Sequence, residues 1–484
     1  MSLTHALSNA LSGLTANSRA ASVVSSNLAN LHTPGYGRRE IELSADARGS
    51  SGGVKVQSIV RHMDRGVLAD RRAADGAMAH AQTGAAFFER LESVVGTPEN
   101  PGSLGARLAA FDAALATAAS RPEAPERLSA AVTRAAAVAT AFNAISQEIQ
   151  SQRQSAEAQI AGAVDTLNTS LTQVQSLNAQ IQDAHLRGFD VSSLEDQRQV
   201  IVDRIAEIVP VREVPGDHGR VGLVSTGGAV LLDRVPTEFE FTQANAIVAD
   251  MTVEGGALSA LRMNGEPVAT SGGAAQMKGG RMAALFELRD DHAVSAQSRL
   301  DALAQNLVER IQAPGLDTSR AVGEPGLFTD SGASFAPGNE TGLAGRLQLN
   351  ARVDPDAGGD IGKLRDGLGA TTPGAEGDAT LLNAMRVAIA DRQPIPSTGF
   401  SGAGASLAGH AGTFLSSIAQ ERLTQEQSVS FAGARQGELD AFLLKGGVDS
   451  DAETQRLLII EQAFAANARM LEVVDDMMQS LLRI

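Results

Sequence analysis

Cysteine and tryptophan are absent from this 484-residue chain, and tyrosine occurs once. Without cysteine there is no disulfide framework and no thiolate metal site. Fifteen phenylalanines carry nearly all the aromatic content. Much of the apolar share is alanine, which favours thin, closely packed helices over a thick core. A basic excess is missing too: 40 Lys and Arg stand against 56 Asp and Glu, a net charge of −16. That excludes the basic surface that binding to nucleic acid requires, and it keeps the chain soluble. No run of about eighteen apolar residues occurs, so no membrane insertion is expected. The opening segment MSLTHALSNALSGL has neither a basic stretch nor a continuous apolar one, so no Sec signal peptide is expected.

The residue sets that carry chemistry are also missing. None of the eight histidines has the Glu beside it and the second His one turn on that make a zinc-protease helix. No glycine loop leads into Lys-Ser or Lys-Thr, and Gly402-Ala403-Gly404 lacks the third glycine of a dinucleotide site. The acidic run from Asp354 to Asp360 has Arg365 where a calcium loop needs a bidentate Glu, so it reads as a solvated turn. Arg289-Asp290-Asp291 reads as a surface or interhelical ion pair. No catalytic, metal or cofactor-binding residue is expected, and the chain is not read as an enzyme.

What the chain does have is an apolar stripe at each end. Near the C-terminus it comprises Leu457, Ile460, Phe464, Leu471, Val474, Met478 and Leu481, with Asn467 as the one polar member. Near the N-terminus it comprises Leu3, Leu7, Leu11, Leu14, Ala21, Val24, Leu28 and Leu31. Steps of three and four residues place each set on one helix face, the pattern of a coiled-coil seam. The expected packing sets Leu471, Val474 and Met478 against Leu14, Ala21 and Leu28, and against neighbouring copies, with Asn467 limiting slips of register. Burying seven such side chains is worth about 10–20 kcal/mol, less than the about 1–2 kcal/mol per residue needed to fix the backbone. Both ends, 1–60 and 446–484, are therefore expected to be disordered in the monomer and to order on assembly.

The first stripe ends at Asn27-Leu28-Ala29-Asn30-Leu31-His32-Thr33-Pro34-Gly35-Tyr36. Pro34 forbids helix continuation, and Asn30 and Gly35 tolerate positive φ, so this is a helix stop and turn. The residues Asn27, Asn30, Thr33, Pro34, Gly35 and Tyr36 resemble the signature shared by the axial proteins of the bacterial flagellum. The segment from Gly447 to Glu453, followed by Glu461-Gln462-Ala463-Phe464, is similar to the C-terminal signature of the same proteins. It departs from that pattern in Phe464, where Tyr is usual, and in Ser450 and Ala452, which interrupt an acidic run.

Rod, hook and junction proteins share such ends, so the middle decides. Between Pro125 and Pro210 there is no proline, and Leu128, Val132, Phe142, Ile145, Ile149, Ile160, Leu167, Leu171, Val174 and Ile181 recur at helical spacing. One very long helix is predicted, with a break near Gly162 and a glycine stop at Gly188. The next segment, Leu194-Glu195-Asp196-Gln197-Arg198, opens a second helix. With the segment from Gly279 to Asp290, it resembles hook-associated protein 1, the junction family among the axial proteins. Phe239 and Phe241, then Met251 and Val253, alternate with polar residues and predict strands.

The expected fold is mainly α with a β-rich insertion, an α+β multidomain chain with discontinuous domains. Residues 61–211, 281–312 and 378–445 form an antiparallel shaft of long helices. Residues 212–280 and 313–377 form the β-rich outer insertion, at the far end from the terminal coiled-coil helices. The resemblance implies a structural component at the hook-filament junction, required for filament assembly, that self-assembles into a ring or helical layer. It also implies contacts with hook protein and with the second junction protein, hook-associated protein 3, and an export chaperone on the C-terminal helix. Localisation in the extracellular flagellum by the flagellar type III route is implied as well. Two alternatives stand beside it: a hook or rod protein of the same axial family, and a cytoplasmic coiled-coil adaptor.

Overall fold

The computed structural model describes residues 3–45, 52–397, 399–400, 402 and 404–483. Helix α1, Leu3–Ala29, leads through the Thr-Pro-Gly-Tyr turn into the hairpin β1, Arg38–Ala45, and β2, Val54–His62. Helices α2, Arg65–Val95, α3, Leu104–Ser120, α4, Pro125–Leu186, and α5, Ser192–Ile208, follow. Then come short strands: β3, Val211–Pro215, β4, Val221–Ser225, β5, Val230–Leu232, β6, Phe239–Glu240, β7, Arg262–Met263, and β8, Glu266–Pro267. They form two three-stranded antiparallel sheets, β3-β4-β5 and β6-β7-β8. Helices α6, Gly280–Glu287, and α7, Ala293–Gln312, are joined by one π turn over Leu288–His292. Beyond them lie β9, Phe328–Asp330, the helical turn α8, Leu343–Arg346, and β10, Leu347–Leu349, which pairs with β9. The chain ends with the turn α9, Lys363–Asp366, and the helices α10, Thr380–Ala390, α11, Leu407–Lys445, and α12, Ser450–Leu482. Positions 398, 401 and 403, shortly before α11, lie outside the described residues.

The architecture is mainly helical, with a β-rich insertion and terminal helices that pack together. The chain leaves and re-enters the same layers, so its domains are discontinuous. The spine is α4, which runs unbroken through Gly162. That glycine faces open solvent and has nothing to pack against, so helix propagation on either side carries across it. Every apolar residue predicted for its inner face is buried. A stretch of α4 is long and apolar enough by composition to cross a membrane, yet half of it is buried inside the protein. It ends where Gly188 takes φ +73°.

The insertion does not sit at the far end as expected. Residues 212–280 lie along the C-terminal half of α4, tied by its polar side chains. Asn178 Nδ2 donates to the Val221 carbonyl at 2.8 Å and Asn168 Nδ2 to the Phe239 carbonyl at 2.8 Å. Only residues 313–377 reach its N-terminal end, where Asn143 Nδ2 donates to the Ala344 carbonyl at 2.7 Å. The strand expected around Met251 and Val253 is a run of turns. Arg153, buried on α4, explains why: its guanidinium donates to the carbonyls of Val248 at 3.1 Å and Met251 at 2.6 Å, the acceptors a partner strand would use.

Of the Arg289-Asp290-Asp291 cluster, Arg289 makes an interhelical bridge, not a surface one. The π turn carries Arg289 inward, fully buried, where it meets the equally buried Glu157 of α4 at 2.6 Å and Asp290 at 2.8 Å. A third buried charge, Asp301 of α7, accepts N–H bonds from Gly342 at 2.7 Å, Ala344 at 2.9 Å and Gln297 at 2.9 Å. Burial pushes its carboxyl up to about 6, against the pull of those donors. The folded protein thus holds this proton between 3.8 and about 6, where the unfolded chain has lost it. Its contribution to stability falls as pH rises through that window and is level above it. Relative to Asp301→Asn, the wild type should lose on the order of 3 kcal/mol between those pH values, at about 1.4 kcal/mol per unit. Denaturant unfolding of both proteins across that range measures the difference, and a pH-independent difference contradicts it.

Candidate assembly interface

The terminal helices α1 and α12 form an antiparallel pair. Asn27 bonds Glu453 near one end, Gly13 lies against Asn467 in the middle, and Leu3 and Met477 line one shallow groove at the other end. The expected order is therefore corrected: Leu28 lies at the Glu453 end, remote from Met478, and Leu14 rather than Leu28 lies near the middle of α12. The register follows from side-chain size. The inward face of α1 is Leu3, Ala6, Ala10, Gly13, Asn17, Ala20, Val24 and Asn27, a heptad series whose one leucine is at the very tip. At Gly13 a Cβ would come within 2.8 Å of Asn467 Nδ2. Backbones this close leave no room for leucine along the middle of the seam.

The larger apolar residues are therefore displaced outward. Leu7, Leu11 and Leu28 are exposed, while Leu14 and Leu31 are half-buried. On α12 the predicted stripe divides. Ile460, Asn467, Leu471 and Val474 face α1, with Val474 buried and the others half-buried. Leu457, Phe464 and Met478 are exposed, joined by Leu458, Ile459 and Met470, while Val473, Met477 and Leu481, exposed too, line the groove at the tip with Leu3. The leucine-weighted reading thus selects residues flanking the seam, because hydrophobicity ranks leucine above alanine whereas close helix approach selects the reverse.

The motif residues form the root of this pair. Pro34 and Gly35 occupy the second and third positions of a turn closed by the Tyr36 N–H to the Thr33 carbonyl at 3.2 Å, and Gly35 takes φ +79°. That is the chemistry of a type II turn. Asn30 Nδ2 donates to the Ser26 carbonyl at 2.9 Å, and the Thr33 hydroxyl donates to Asn30 Oδ1 at 3.1 Å, sealing the helix end. Asn27 is fully buried. Its carboxamide donates to the Arg39 carbonyl at 2.9 Å and accepts from the Arg39 N–H at 3.0 Å, the two bonds a neighbouring strand would make. It also donates to Glu453 Oε2 at 3.2 Å and accepts from the Tyr36 hydroxyl at 2.8 Å. Glu453, 1% exposed, meets Arg38 at 3.0 Å and Arg456 at 3.2 Å. One amide and one carboxylate therefore join α1, β1 and α12.

Sequence reasoning assigns Glu453 no role. The available signal is a carboxylate at the end of the first segment of the C-terminal signature, on the same helix face as Ile460, Asn467 and Val474. Asp196 stands in the sequence only as part of a motif; it accepts from the Gly37 N–H at 3.0 Å, Arg39 at 2.7 Å and Arg61 at 2.7 Å, tying the root to α5. Among the described residues, no group of three or more His, Asp or Glu could hold a metal ion.

Comparison with known proteins assigns this layout. Residues 88–328 match the family described as flagellar hook-associated protein FlgK helical domain. Residues 7–36 match the flagella basal body rod protein family, and residues 441–484 match the flagellar basal body rod FlgEFG protein C-terminal family. Flagellar hook-associated protein 1 of Bacillus subtilis (strain 168) is 26% identical over 240 residues, covering 47% of this chain and 47% of that protein. The Escherichia coli (strain K12) protein of the same name is 26% identical over 235 residues, covering 47% of this chain and 42% of that protein. The chain thus spans about half the length of the curated relatives it matches. The solved flagellar hook junction protein FlgK from Burkholderia pseudomallei aligns over 54% of this chain and 46% of its own, with 21% identity and a TM-score of 0.41. Rod-type ends framing a helical middle are the layout of a flagellar axial protein. Within that class, the chain belongs to the flagellar hook-associated protein 1 family.

Removing the Asn27 carboxamide leaves Glu453 and both Arg39 backbone groups short of a partner, at about 1–3 kcal/mol per buried group. Asn27→Ala should speed exchange of the Arg39 amide about tenfold or more. Hydrogen exchange resolved at Arg39 checks this, and an unchanged rate contradicts the role given to Asn27.

Proposed function

We propose that this protein is a structural component of the bacterial flagellum that forms the junction between hook and filament and is required for filament assembly. The observation that carries the reading is the outward face of the α1–α12 pair. Leu7, Leu11, Leu28, Leu457, Ile459, Phe464, Met478 and Leu481 stand exposed on one slender limb, and large apolar side chains gathered in this way mark a surface for association. Neighbouring copies cover it if subunits meet through heterologous contacts that propagate into a ring or helical layer. The motif residues 27–36 then act as the rigid root that presents the limb. Asn467, seated against Gly13, resists slips of register.

The partners follow from position. Hook protein lies on one side and the second junction protein, hook-associated protein 3, on the other. Before export an acidic chain with an uncovered apolar C-terminal helix suits a cytoplasmic chaperone that shields α12. Export through the flagellar type III apparatus and residence in the extracellular flagellum complete the reading. The family match along residues 88–328 favours this junction role over a rod or hook subunit.

Electron microscopy of cells lacking the gene, with an assay for flagellin in the medium, tests the role. Complete hooks without filaments, and flagellin shed into the medium, are expected. Missing hooks would instead make the protein a rod or hook component, and normal flagella would contradict the reading altogether. Complementation with Phe464→Asp should fail to restore filaments, since a charge replaces a side chain whose burial is worth about 1.5–3 kcal/mol at each contact, while the inward seam is untouched. Normal filaments from that variant would remove the outer face of α12 from the interface.

A further inference from the structure

The limb formed by α1, β1, β2 and α12 meets the helical shaft through a narrow joint. The chain crosses it twice, at residues 63–64 between β2 and α2 and at residues 446–448 between α11 and α12. The principal contact between elements on the two sides is β2 against α5. At its centre stands one shaft carboxylate, Asp196. Its Oδ1 accepts from the Gly37 N–H at 3.0 Å and from Arg61 Nε at 2.7 Å, and its Oδ2 accepts from Arg39 Nη2 at 2.7 Å. All three donors belong to the limb. Asp196, Arg39 and Arg61 are largely withdrawn from solvent, where charge-assisted bonds are strongest. Around them the packing is light: Gly35 touches Val200, and Arg61 reaches Gln199 and the Gly35 carbonyl.

Beside this clamp the joint is not filled. A groove of about 800 Å³ separates the motif turn from the end of α11, lined by Pro34, Tyr36, Met63, Asp440, Phe442 and Leu444. Two adjacent glycines, Gly446 and Gly447, form the second crossing, and backbone rotation there meets little steric resistance. An unfilled groove, a glycine link and one carboxylate that gathers three limb donors, with the Arg61–Gln199 contact beside it, define a hinge with one main latch.

We propose that Asp196 is the latch of a hinge between limb and shaft. Clamped by Arg39, Arg61 and the Gly37 N–H, it holds the limb at one angle; unclamped, the limb swings about residues 63–64 and 446–448 into the groove. Asp196 is a positioning residue, and the inference does not rest on the junction role. It gives a polymer subunit a means to keep its axial contacts while its shaft tilts.

Because the chain has no cysteine, spin labels at Gln57→Cys on β2 and Thr172→Cys on α4 report the angle directly. Both positions are exposed. Double electron–electron resonance on the full-length protein should give one narrow distance distribution for the otherwise native chain. Asp196→Asn should broaden it about twofold or more, and Asp196→Glu should restore a single distance, displaced from the native one. Raising salt to about 1 M, where screening acts within about 3 Å, should broaden the native distribution less than Asp196→Asn does. Arg61→Gln, which leaves the shaft sequence intact, should reproduce the broadening even if Asp196→Asn perturbs α5. Distributions that superimpose for all variants, or a native distribution as broad as that of Asp196→Asn, would overturn the proposal.

Discussion

Two helices from opposite ends of a chain can lie this close only where their facing side chains are small, and that constraint orders the rest of the limb. Alanine and glycine on the inner face of α1 let the backbones approach until Gly13 meets Asn467. The bulkier residues then have nowhere to go but outward. A leucine seam would bury its own apolar surface and leave a self-sufficient coiled coil. The small-residue seam does the opposite: it makes a thin limb whose larger apolar side chains are left exposed.

A thin seam holds its register poorly, and polar groups at the root supply what apolar contact does not. Asn27 imitates a strand edge toward Arg39 and closes on Glu453, so helix, hairpin and terminal helix share one buried network. Such a network is worth most when every member is satisfied, because an unpaired member in a low-dielectric site is costly. The same logic recurs in the shaft. Arg153, Arg289 and Arg310 are buried on helices and spend their donors on loop carbonyls and carboxylates, and Arg310 alone ties down the carbonyls of Ala388, Asp391 and Ala405. Irregular segments are thus fixed by helix-borne guanidinium groups instead of by sheet.

This division explains what could be read from the sequence. The length and inner face of α4 were legible because a 3.6-residue apolar period over many turns has one interpretation. The Thr33-Pro34-Gly35-Tyr36 turn was legible because proline and glycine fix backbone angles locally. The strand expected around Met251 and Val253 was not, since its carbonyls are claimed by Arg153, far away in sequence. Glu453 and Asp196 escaped for the same reason: their roles depend on arginines brought to them by the fold. Along the middle of α1 the close contact falls on alanine and glycine beside the predicted leucines, because apolar patterning favours the most hydrophobic residues, whereas backbone proximity is a tertiary property that rewards the smallest.

The central claim is that the limb is secured at its root and incomplete at its tip. Among the described residues of the tip half, Ala10, Ala16 and Val474 are the buried apolar ones, too little to offset about 1–2 kcal/mol of backbone entropy per residue ordered. Hydrogen exchange across the free, full-length subunit measures this directly. The account predicts rapid exchange in α1 before Ala16 and in α12 beyond Asn467, with protection retained from Asn27 to Arg39 and in the turn of α12 that follows Glu453. Uniform protection out to Leu3 and Leu482 would contradict it, because the limb would then be complete without neighbours.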